Sequence, residues 1–147
     1  MPGPMLRRVL PIALFLVVHA SAACADTPLR VTLPAGAEGA SGRLLVSLQP
    51  AASAEQAARD GVVKEISVSP FGGIDGTVIG MDVPWLEPGR SLAVDGETHA
   101  YPATLSALPA GEYYVQAVLD TARDNNYGGS SDDISSVPVK VVLGKGG

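Results

Sequence analysis

LPAGEYYVQAVLD, running from Leu108 to Asp120, is the stretch that decides the fold. Leu108-Pro109-Ala110-Gly111 is a turn, because Pro109 presets φ and Gly111 tolerates positive φ. From Glu112 onward the residues alternate. Tyr113, Val115, Ala117 and Leu119 point one way, and Tyr114, Gln116, Val118 and Asp120 point the other. That is the period of a half-buried strand. A tyrosine directly after such a turn sends its hydroxyl back to a loop carbonyl in the corners of Greek-key sandwiches. Tyr113 is expected to do so.

Working outward, the same pattern recurs in short pieces. Leu29, Val31 and Leu33 alternate until Pro34, and Leu44, Val46 and Leu48 alternate until Pro50. Val62 to Val68 is rich in β-formers, Thr77 to Val83 is apolar and closed by Pro84, and Leu92 to Val94 ends at Asp95-Gly96. Val137 to Leu143 alternates once more before a glycine-rich end. Ala51 to Arg59 (AASAEQAAR) is the exception. Its alanines, Glu55, Gln56 and Arg59 favour a helical turn, with Ser53 as a cap, in a crossover loop. The pattern predicts an all-β fold, an antiparallel immunoglobulin-like or transthyretin-like sandwich of about seven strands. Its expected core holds Val31, Leu44, Val46, Tyr113, Val115, Leu119, Val139 and Val141.

Composition narrows the role. The 147 residues are 46% hydrophobic and 17% charged, too apolar for a disordered chain, and their single cysteine excludes cysteine-rich zinc modules. A net charge of −5 has the wrong sign for a nucleic-acid binder.

The N-terminus reads as an address. Arg7 and Arg8 precede the apolar run Val9 to Val18, and small residues follow from Ala20 to Ala25. This is the layout of a signal peptide, residues 1–25, ahead of a single sandwich domain, residues 26–147. The chain is expected to be exported, to the periplasm or beyond, with no transmembrane segment after cleavage. Cys24 has a second reading as the lipid-bearing residue of a membrane-anchored lipoprotein, although Ser21 stands where such signals carry Leu. The leader holds two of the basic residues and no acidic one, so residues 26–147 carry a net charge of −7.

Candidate sites are few. Gly128-Gly129-Ser130-Ser131-Asp132 approaches a nucleophile elbow but ends in Asp instead of Gly, with no helix pattern after it. His99, the sole histidine beyond the leader, sits in the polar hairpin 95–100. No catalytic residue and no cofactor is therefore expected. Asp120, Asp124 and Asn126 belong to an oxygen-rich loop that offers Ca²⁺ ligands, but the spacing is not that of an EF-hand. A solvated loop is the expected reading, and no metal site is assigned. Trp85, Tyr101, Tyr114 and Tyr127 are candidates for an aromatic platform that binds a small ligand or a sugar ring. For Trp85, between Pro84 and Leu86, the competing role is to cover the end of the core.

The longer run LSALPAGEYYVQAVLD resembles a segment of the β-sandwich region that precedes the α/β-hydrolase domain of secreted bacterial esterases. Ala100-Tyr101-Pro102, Ser41-Gly42-Arg43-Leu44-Leu45-Val46, Phe71-Gly72-Gly73-Ile74-Asp75 and Leu86-Glu87-Pro88-Gly89 extend the resemblance over most of residues 29–143. It implies a non-catalytic accessory or interaction domain whose partner is a hydrolase domain or protein. In those esterases the nucleophile lies in the continuation after the sandwich, which this sequence does not include. The alternative is a small-ligand or carbohydrate-binding module using Trp85 and nearby tyrosines.

Overall fold

The alternating apolar residues do form strands. The computed structural model describes residues 15–16, 29–66, 76–123 and 133–144. Their strands are β1 (Phe15–Leu16), β2 (Leu29–Thr32), β3 (Ala40–Pro50), β4 (Thr77–Leu86), β5 (Ser91–Val94), β6 (Ala100–Tyr101), β7 (Gly111–Asp120), β8 (Ile134–Ser135) and β9 (Val139–Leu143). They build an all-β antiparallel sandwich. The larger sheet runs β6-β4-β3-β7, with β8 and β9 sharing the far side of β7, and the smaller runs β1-β2-β5.

One parity of each strand fills the space between the sheets. Leu44, Val46 and Leu48 of β3 meet Tyr113, Val115, Ala117 and Leu119 of β7 in a cluster with Leu29, Val31 and Val94 of the smaller sheet. Each such Leu or Val contributes roughly 1.5–3 kcal/mol by leaving water. The expected core is buried apart from Val139, which packs against the cluster half-buried near the edge. At the turn, the Tyr113 hydroxyl donates to the Pro109 carbonyl at 2.8 Å, as expected for a tyrosine corner.

Three local readings differ from the sequence. Residues 62–66 are not a strand: the Ile66 N–H donates to the Gln116 side chain at 2.9 Å, so this segment meets β7 through a side chain instead of a backbone ladder. The helix α1 (Ala51–Ala57) follows directly on β3, with Pro50 at its cap position and no side-chain cap, so Ser53 lies inside it. Its buried Ala51 and Ala54, one turn apart, seat it. The run Val137 to Leu143 is broken, since Pro138 has no N–H to give the ladder. Ser136 fills the gap, its backbone N–H donating to the Ala117 carbonyl and its hydroxyl accepting the Ala117 N–H. Phe15 and Leu16, within the segment read as the leader, lie opposite Thr32 and Val31 on β2. The cleavage region and Cys24 lie outside the described residues.

Candidate functional site

Between Gly42 and Ala40, β3 advances two residues while β4 advances three, from Val83 to Leu86. The extra residue is a β-bulge, and bulges re-aim side chains. Pro84 and Trp85 consequently both turn outward, while Val83 and Leu86 on either side stay buried. Trp85 is 60% exposed. Covering the core is therefore not its role.

The bulge alone would leave the indole loose; Gly39 gives it a seat. A Cβ at Gly39 would run into Cζ2 and Cε2 of Trp85, so the ring lies on bare backbone. Any side chain at position 39 would displace it. One part of the ring is thus supported while most of it faces outward. Sequence reasoning named Trp85 but not this support; Gly39, next to Ala40-Ser41-Gly42, was the available signal.

The other aromatic candidates are elsewhere. Tyr101, 64% exposed, is paired with Val78, seven residues from Trp85 along β4 and so roughly 20 Å away. Tyr114 projects from the outer face of β7, next to α1. Its hydroxyl donates to Glu55 at 3.2 Å, and the Lys140 ammonium stands 5.8 Å from its ring centre. Tyr127 lies outside the described residues. Trp85 and Tyr101 do not form one platform.

The polar candidates separate as well. The Asp120 carboxylate accepts the Arg123 N–H at 2.6 Å and caps the turn that leaves β7, where Arg123 has φ of 55°. Asp120 is also buried, since Gly42 brings β3 against the end of the strand. Asp124, Asn126 and Ser130 fall outside the described residues. Among the described residues no group of three or more His, Cys, Asp or Glu side chains gathers to hold a metal ion. His99 is exposed, and its carbonyl accepts the Gly80 N–H at 3.1 Å beside β6. The hairpin before it is locked by Asp95, whose carboxylate accepts the Glu97 N–H and the Thr98 hydroxyl, both at 3.0 Å.

One charged cluster went unseen in the sequence. Lys140 of β9 lies 3.0 Å from Glu55 of α1 and 3.4 Å from Glu112 of β7. Its hydrogen bond lowers the Glu55 carboxyl from its ordinary value, and Glu55 in turn raises Lys140. The partners are 85 and 28 residues apart in sequence. The cluster fastens α1 to the sheet.

Comparison with known proteins returns no match to any family model, curated protein or solved structure. Among the described residues no helix is long and apolar enough to cross a membrane.

Proposed function

We propose that the chain is an exported, non-catalytic interaction module that works through a partner of the hydrolase kind, docked at Trp85. The bulged, glycine-seated tryptophan is the observation that carries this reading. An indole that the fold turns away from its own core has area to offer another molecule. Tryptophan is among the residue types enriched at the hot spots of binding interfaces. The resemblance of residues 105–120 to the sandwich ahead of secreted esterase domains supplies the kind of partner. The lack of a nucleophile elbow at Ser130, where Asp132 stands in place of the closing glycine, supports the non-catalytic part.

The test is a photo-crosslinking amino acid at position 85, introduced into the protein in its source cells. Adducts that map to one protein with an α/β-hydrolase domain are expected. Adducts to glycan alone would favour the carbohydrate-binding reading instead. The purified chain should leave p-nitrophenyl acetate at the buffer rate. Turnover abolished by both Ser130→Ala and His99→Ala, with the fold intact, would overturn the non-catalytic reading.

A further inference from the structure

Among the described residues the smaller sheet is thin: apart from β1 it consists of β2 and β5, four residues each, facing the much broader sheet of β3, β4 and β7. Its third strand is the two-residue β1, drawn from the N-terminal apolar run.

The direction of the hydrogen bonds identifies what β1 covers. The Leu33 N–H donates to the Arg90 carbonyl at 3.2 Å, across the β5 side. Neighbouring residues of a strand direct their backbone groups to opposite sides. Arg30 and Thr32 therefore present their N–H and C=O groups to the outer edge, and Thr32 is the residue opposite Phe15. Leu29 and Val31, 1% and 0% exposed, hold the strand from beneath.

Apart from its short length and the exposed Arg30, the edge carries few of the devices that discourage pairing. The outer part of β4 carries Asp82, Pro84 and the bulge, and β9 is preceded by Pro138 and carries Lys140. From Leu29 to Leu33 there is no proline, no acidic residue and no shift of register against β5.

We propose that the outer edge of β2 is a strand-accepting site. In the unprocessed chain Phe15–Leu16 occupies it. In the processed protein an extended aliphatic segment of the partner replaces it, antiparallel to β2. The chemistry of the occupant is read from the sequence that contains β1, Leu14-Phe15-Leu16-Val17. Backbone hydrogen bonds would supply affinity, as in other cases of β-strand addition. The proposal rests on the reading that residues 1–25 are removed on export.

The experiment uses two forms of the protein: the exported product, with its mass measured intact, and the full chain made without export. Amide hydrogen exchange is followed at Arg30 and Thr32, with and without a lysine-flanked peptide carrying residues 9–18. Both amides should exchange at least tenfold more slowly in the full chain than in the processed protein. The peptide should restore that slowing, and the same peptide with proline at positions 15 and 16 should not. A processed protein whose Arg30 and Thr32 amides ignore the peptide would overturn the site while leaving the export reading intact. So would slow exchange that depends on protein concentration alone, which would make a second copy the occupant. An exported protein that still carries residues 1–25 would overturn the export reading and the freed edge with it.

Discussion

Tyr113 and Tyr114 are neighbours on β7, yet they are put to different uses. Tyr113 is buried between the sheets and spends its hydroxyl on Pro109, four residues back. Tyr114 lies half-buried on the outer face and reaches Glu55 in α1, 59 residues away in sequence. The same division holds along the strand. Val115, Ala117 and Leu119 are fully buried, whereas Gln116 and Val118 are only half-covered. The inner face holds the sheets together through apolar contact, which is insensitive to pH and salt. The outer face is secured by polar groups that attach α1 and residue 66, and it depends on charge.

The largest effect that separates the faces should come from Val115→Asp. Val115 sits between Leu48 and Val139 in the ladder, and a carboxylate there would be buried without a partner. The expected loss is on the order of 3 kcal/mol or more, read from urea unfolding. Val118→Asp, three residues on and facing outward, should cost less than half as much. Equal losses from the two would show that the faces are not distinct.

This contrast explains how much of the molecule could be read in its sequence. Period-two alternation is a local signal, so the inner face of β7, the strands β2 to β4 and the Tyr113 corner were legible from single segments. Features that depend on pairing were not. The bulge at Pro84 and Trp85 exists only through its register against Ala40 and Gly42. The Lys140 cluster joins three separate elements, and no spacing announces it. The run from Val62 failed for the opposite reason: β-forming residues need a free ladder, and Ile66 bonds a side chain instead. The candidate site was half legible, since Trp85 stood out as the sole tryptophan while its seat on Gly39 and its distance from Tyr101 follow from the fold.

A smaller effect should distinguish the two tyrosines. Tyr113→Phe removes a hydrogen bond in a sheltered corner and should lower stability by about 1 kcal/mol. Tyr114→Phe removes a bond to an already paired carboxylate near solvent and should be nearly neutral in the same denaturation series. A larger loss at Tyr114 would mean that α1 holds the sheet more firmly than its one turn of buried alanines suggests.

The smallest effect concerns the charges on the outer face, where only pH makes it visible. Lys140 holds the Glu55 carboxyl below its ordinary value, so the folded state favours the ionised form. That contribution is present above the unfolded carboxylate's pKa, near 4.3, and disappears as pH falls through the lower folded value. Glu55 likewise raises Lys140, so its contribution is present below about pH 10.4 and is lost as pH rises through the higher folded value. The pair therefore stabilises most across the neutral range and fades at both ends. Glu55→Gln should lower the melting temperature slightly at pH 7 and should match the parent once acid has protonated Glu55 in both states. Salt should shrink the difference at pH 7, because both side chains are substantially exposed. A deficit that stayed constant from acid to neutral pH would show that Glu55 contributes through packing, and the outer face would then differ from the inner one in degree alone.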